Sequence, residues 1–217
     1  MNIFNALNIF YREDVITDFL KNCFEDSPAF LQQFLQSAHL DILVTQDVTI
    51  YNRKGLGKHI GTPDMIIVIK GVEDHVVIVE NKLGAAEGNT QTERYYTEAA
   101  LHKIANLFKL NQTNTQFHFI YLTLDTTVTP REMRYEQVFY KQFLHGEWPL
   151  HNATLNMIFK DFQQALQQFY APLENPEQTL STNVSLIKHR RRFVGSPFCL
   201  ISFAMNPTAF RMGKCWR

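Results

Sequence analysis

Cysteine is scarce in this chain of 217 residues: Cys23, Cys199 and Cys215 are odd in number and widely separated. No disulfide framework and no zinc-ligand spacing can be assembled from them. They read as buried or incidental thiols of a reducing compartment. Long apolar runs are missing as well, and none approaches the roughly 20 residues that a membrane helix needs. Met1 to Asn5 shows no basic leader and no extended apolar core, so no signal peptide is expected. Neither sign of charge is in excess, with 21 basic against 21 acidic residues. Bulk charge therefore announces no nucleic-acid partner, and any such contact must come from a local patch. The expectation is a soluble, cytoplasmic protein with no membrane partner.

What is present is ordinary globular material. Hydrophobic residues make up 45% of the chain and charged residues 19%, and 18 Phe supply bulky core side chains. The length suffices for one α/β domain with an extension. Apolar residues recur at helical spacing from Asn8 to about Leu35. Ser27-Pro28 interrupts that run as an N-cap followed by a first-turn proline. Strands are expected at Ile42–Tyr51, Met65–Lys70, His75–Glu80 and Phe117–Leu124, the last with both faces covered. A polar turn at Gly71–Asp74 suits a hairpin. A loop from Gly84 to Thr90 leads to a helix from Thr90 to Phe108. Tyr135–Phe143 and Ala153–Tyr170 read as wholly or partly helical. From about Pro172 the periodicity weakens, which divides the chain into a domain at 1–171 and an extension at 172–217. The basic run Lys188-His189-Arg190-Arg191-Arg192 in that extension reads as a solvated charged segment before it reads as a phosphate contact.

The chemistry concentrates in Gly61-Thr62-Pro63-Asp64 and, sixteen residues later, Glu80-Asn81-Lys82. Each group adjoins an apolar strand. Glu80 and Lys82 are two apart and so share one face of a strand. If the two strands form a hairpin, Asp64 converges on the same place. Two carboxylates from separate strands hold a hard divalent cation, which activates water and neutralises phosphoryl charge. Lys82 then orients the water or stabilises developing negative charge, and the main-chain carbonyl of Asn81 is a further candidate ligand. Taken singly, each piece has a plainer explanation: Asp64 as a turn residue, Glu80 and Lys82 as a surface ion pair.

Pro63-Asp64 followed by Glu80-x-Lys82 resembles the PD-(D/E)XK nuclease superfamily, which includes restriction endonucleases and recombination nucleases. Gln91-Thr92-Glu93-Arg94-Tyr95, starting nine residues beyond Lys82, looks like the Q-x-x-x-Y motif of its RecB-like branch. Gln91 and Tyr95 stand four apart and share a helix face. The stretch from Glu80 to Tyr96, with Tyr121-Leu122-Thr123-Leu124-Asp125 downstream, is similar to a bacterial group linked with phage defence. The resemblance covers roughly Glu13 to Leu124.

It implies an α/β fold with an αβββαβ core, a central mixed sheet flanked by helices. It implies a nuclease hydrolysing phosphodiester bonds, with DNA preferred to RNA as the expected substrate, in phage defence or DNA processing. Asp64 and Glu80 bind Mg²⁺ or Mn²⁺ in this reading, with Asn81 as the extra ligand. Lys82 assists the water. Glu13 is the best match for a further glutamate on an N-terminal helix, ahead of Glu25, and an N-capping role for it stays open. Gln91 and Tyr95 position the substrate strand or the lysine. Lys54, Lys58 and His59 are candidate phosphate contacts that also read as ordinary loop charges. A homodimer is a candidate arrangement, because nuclease domains of this size often pair to cut both strands. Two other classes stay open: a nuclease-fold binding subunit without catalysis, and a phosphohydrolase acting on small nucleotides from an enclosed pocket.

Overall fold

A computed structural model describes residues 2–44, 47–84, 87–88, 90–124 and 127–174. The basic run at 188–192, Cys199, Cys215 and nearly all of the 172–217 extension lie outside them. Five strands form one sheet in the order β1 (Val48–Asn52), β2 (Met65–Ile69), β3 (Asp74–Lys82), β4 (Thr115–Thr123) and β5 (Glu136–Phe139). The pairs β1/β2 and β2/β3 are antiparallel, whereas β3/β4 and β4/β5 are parallel. The parallel step from β3 to β4 needs a crossover, and helices α4 (Gln91–Tyr95) and α5 (Glu98–Phe108) provide it. This is the mixed sheet and αβββαβ order expected of the sequence.

Both faces of the sheet are covered, which explains why Met65–Ile69 is buried at all five positions. On one face lie α1 (Ile3–Ala6), α2 (Glu13–Asp26), α3 (Pro28–Ser37) and α6 (Ala153–Glu174), packed on Ile67, Val77, Val79, Ile120 and Leu122. Phe162 is the hub of that layer, with ring centroids of Phe4, Phe19 and Tyr140 within 5.9 Å. On the other face α4 and α5 bury Tyr95, Ile104 and Phe108 against Ile66, Ile78, Phe119 and Tyr121. Ser27 caps α3 by accepting the Phe30 N–H at 3.2 Å, with Pro28 in its first turn. Glu13 and Asp14 open α2, where negative charge complements the helix dipole. Among the described residues no helix is long and apolar enough to cross a membrane.

Five segments depart from the sequence reading. Residues 8–12, expected to be helical, form turns instead, with Asn8 at φ +53° and α2 starting only at Glu13. Ile42–Val44 is not a strand, because the Gln32 side chain bonds Ile42 O at 2.8 Å and Val44 N at 2.9 Å in place of a neighbouring strand. The helix expected over Thr90–Phe108 is two helices. Thr97 takes extended backbone angles and accepts the Ala100 N–H as the N-cap of the second. Tyr135–Phe143 begins as strand β5, pairing in parallel with β4, and only Tyr140–Leu144 coils, as a 3₁₀ turn. Its four-residue strand is specified by an available sheet edge rather than by its own periodicity. α1 is an additional turn of helix, capped by Asn2.

Phe162→Ala should destabilise the protein by about 3–5 kcal/mol, because the aromatic layer cannot close the cavity; urea unfolding measures it. A second expectation concerns the base of the sheet, where His75 Nδ1 lies 3.1 Å from His118 Nε2. Burial, with His75 adding to it, lowers the His118 pKa. The folded state therefore prefers neutral His118. Its contribution is complete above the ordinary value of 6.5 and is lost as pH falls below it, where the unfolded chain protonates first. His118→Gln should flatten the decline in melting temperature between pH 7 and pH 5 relative to wild type, in melts at about these two values.

Candidate active site

The hairpin of β2 and β3 puts Asp64 beside the end of β3. Met65 pairs with Val79 as the last rung, and one step further the Asp64 carboxylate replaces a main-chain acceptor. Its Oδ2 accepts the Asn81 N–H at 2.8 Å. Strand alternation sends Glu80 and Lys82 to the α4/α5 face and Asn81 to the other. Lys82 Nζ stands 2.6 Å from Glu80 Oε1, 3.6 Å from Glu13 Oε2 and 4.0 Å from Asp64 Oδ2. Glu13, at the first position of α2, is held there because its Oε1 accepts the Leu83 N–H at 3.1 Å. Four sequence-predicted residues from three elements thus meet at one point.

Asn81 works on the opposite face. Its amide donates to Thr17 Oγ1 at 2.9 Å and to Glu13 O at 3.4 Å, and its Oδ1 accepts the Tyr140 hydroxyl at 2.7 Å. Thr17 in turn donates to Glu13 O at 2.7 Å. The Asn81 side chain is therefore committed to holding α2 against β3. Thr17 and Tyr140 escaped the sequence reading. Thr17 was signalled only by its position four residues after Glu13, on the same helix face.

The charges do not balance. Three carboxyl groups surround one ammonium in a largely buried place. Glu80 has no exposed surface. Burial above all, and then the neighbouring Asp64, push its pKa up to about 8, against the opposing pull of Lys82. Burial works against the Lys82 ammonium, yet Glu80, Glu13 and Asp64 outweigh it and raise its pKa. The Lys82 contact is an ion pair, and neither Glu80 oxygen has a hydrogen-bond partner. A buried carboxylate that accepts no hydrogen bond, beside a second carboxylate, fits a hard divalent cation, which takes oxygen ligands. Among the described residues no three acidic, histidine or cysteine side chains are gathered as a ready-made metal cluster.

Other predicted residues fall at different distances. Tyr95 is buried at 1% exposure and accepts a hydrogen bond from Gln91 Nε2 at 3.3 Å. Its pKa is pushed up to about 12, by burial first and by Glu80 second. Gly61, at φ +108°, lets the loop before Asp64 lie on this tyrosine. A Cβ there would sit 3.4 Å from the Tyr95 hydroxyl in a backbone conformation that side chains rarely adopt. Lys58 and His59 are exposed on that loop, and Lys54 Nζ stands 6.0 Å over the Tyr51 ring. None of these three contacts the carboxylates. Glu25 pairs with Lys21 at the far end of α2, about 18 Å along the helix from Glu13. The mouth of the site is an open groove of about 480 Å³ lined by Glu13, Asp64, Leu83, Arg12 and Arg53. Both arginines are missing from the sequence reading, and both are tied to acidic neighbours, Asp14 and Asp18.

Glu80→Gln removes one of the crowded carboxylates. In EDTA this variant should melt higher than wild type, whereas added Mn²⁺ should raise its melting temperature less. A lower melting temperature in EDTA would show that the carboxylate stabilises the cation-free fold.

Comparison with known proteins agrees with this geometry. A family model described as the PD-(D/E)XK nuclease superfamily matches residues 1–184. No curated protein and no solved structure gives a match. With Asp64, Glu80 and Lys82 converging at the end of a β-hairpin in a mixed sheet, and with the family match covering most of its length, this chain belongs to the PD-(D/E)XK nuclease superfamily.

Proposed function

We propose that the chain hydrolyses phosphodiester bonds of DNA with the aid of Mg²⁺ or Mn²⁺. The observation that carries this reading is the Lys82 ammonium lying among the carboxylates of Glu80, Glu13 and Asp64, the last two of which line an open groove. Asp64, Glu80 and the main-chain carbonyl of Asn81 would hold the cation, which supplies Lewis acidity and neutralises charge at the scissile phosphate. Lys82 orients the attacking water and stabilises charge developing on the phosphoryl oxygens. Glu13 anchors the helix and adds a carboxylate to the centre. Gln91 fixes the Tyr95 hydroxyl beside the site. Lys54, Lys58 and His59 serve as phosphate contacts on the loop leading to β2.

An open groove with arginines at its rim favours a polymer over a small nucleotide. All three motif residues are present and converge, which argues against an inactive binding subunit. The described residues form one such centre, so cutting both strands calls for a homodimer. A place in phage defence or DNA processing rests on the family resemblance.

Linear and circular duplex DNA, single-stranded DNA and RNA, each incubated with Mg²⁺, Mn²⁺ or EDTA, test this reading. DNA should be cut only with the cations. Asp64→Asn and Lys82→Ala should lose about a hundredfold or more in rate. Equal rates for wild type and variants, or cleavage that persists in EDTA, would sink the assignment; preferential cleavage of RNA would overturn the substrate.

A further inference from the structure

Behind Glu80, on the α4/α5 face, three tyrosines are buried together: Tyr95, Tyr121 and Tyr135. Their rings fill the second core, a task that phenylalanine would perform equally. Their hydroxyls are the anomaly. Neither the Tyr121 nor the Tyr135 hydroxyl has a hydrogen-bond partner, and both are enclosed. Buried polar groups are ordinarily paired, so two orphan donors in one layer call for an explanation.

The sheet register supplies it. Glu80 and Tyr121 are direct partners across the parallel β3/β4 ladder. Neighbouring strands lie about 4.8 Å apart, and partner residues project to the same face. Phe119, two residues before Tyr121 and so on that face too, packs against Tyr135 with ring centroids 5.1 Å apart. Tyr95 closes the group from α4, its hydroxyl already accepting from Gln91. Glu80 Oε1, served only by the Lys82 ion pair, and Glu80 Oε2 accept no hydrogen bond, and they share a layer with two orphan donors, the hydroxyls of Tyr121 and Tyr135. They match in number and in kind.

We propose that Tyr121 and Tyr135 are positioning residues whose hydroxyls hold the Glu80 carboxylate in the cation-bound state, when Lys82 faces the substrate. This rests on the metal-dependent nuclease reading. In the cation-free protein Lys82 alone compensates Glu80, at 2.6 Å. A Lys82 engaged with water and phosphate leaves that carboxylate needing other donors. Hydrogen bonds to the outer side of a ligating carboxylate fix its orientation and keep it ionised. Tyr121 stands beside Glu80 to give one, and Tyr135 completes the pair.

Tyrosine-to-phenylalanine changes separate this role from packing, because they keep the ring and delete only the hydroxyl. Tyr121→Phe, Tyr135→Phe and the double variant are compared with wild type by calorimetric titration with Mn²⁺ and by thermal melts in EDTA. Tyr96→Phe is the control: its ring lies under the Arg134 guanidinium, in the same layer. The double variant should bind Mn²⁺ on the order of tenfold more weakly, with an EDTA melting temperature equal to or above that of wild type. The control should bind as wild type does. A double variant that binds Mn²⁺ with wild-type affinity overturns the inference while leaving the nuclease reading intact. A wild-type protein that binds no Mn²⁺ overturns both.

Discussion

A single hydrogen bond, from the Asn81 main-chain N–H to Asp64 Oδ2 at 2.8 Å, sets the geometry on which the site depends. It continues the β2/β3 ladder one step beyond its last main-chain rung, with a side chain in place of a carbonyl. The two halves of the motif are thereby joined, and Asp64 is held level with the strand positions that carry Glu80 and Lys82. Helix α2 is then fitted to the same strand end. Glu13 reaches the Leu83 N–H and Thr17 reaches the Asn81 amide, one helical turn apart. Two contacts so spaced fix both the position and the rotation of the helix.

That arrangement concentrates like charge where water is scarce. Three carboxylates and one ammonium in a partly buried cluster cost desolvation energy that their mutual attraction recovers only in part. Much of the stabilising material lies across the sheet, in the aromatic layer around Phe162, where rings from α1, α2, α6 and the segment after β5 pack tilted or edge to face. The molecule is divided accordingly. One side of β3 carries the aromatic layer, and the other carries the second core together with Glu80 and Lys82.

The sequence made the hairpin legible because Met65–Ile69 and the run ending at Glu80 are apolar, short and separated by a polar turn. It also placed Lys82 with Glu80, since a strand alternates whatever its surroundings. Glu13 could be ranked above Glu25 by resemblance, but its hydrogen bond to Leu83 depends on how α2 lies on the sheet. Strand β5 was hidden because its four residues are fixed by parallel pairing with β4, not by a local pattern. The Thr97 cap was readable in principle as a threonine three residues before Ala100, yet continuous helical spacing on both sides masked it. Tyr121 and Tyr135 carry no local signal at all. Only the parallel register of β3 and β4, set by a crossover through two helices, makes Tyr121 the neighbour of Glu80.

The alternation within β3 has a consequence for how such a protein can change over time. Glu80 and Lys82 face one layer and Asn81 faces the other, each with its own partners. A residue inserted or deleted within β2 or β3 would exchange the two sets, sending Asn81 into the charged cluster and Lys82 into the aromatic layer. The turn at 70–73, at the opposite end of the hairpin, tolerates a change of length without disturbing either set. Variation in length is thus channelled into the end of the hairpin farthest from the chemistry, and the spacing between Asp64 and Glu80 is free to drift while their alignment is not.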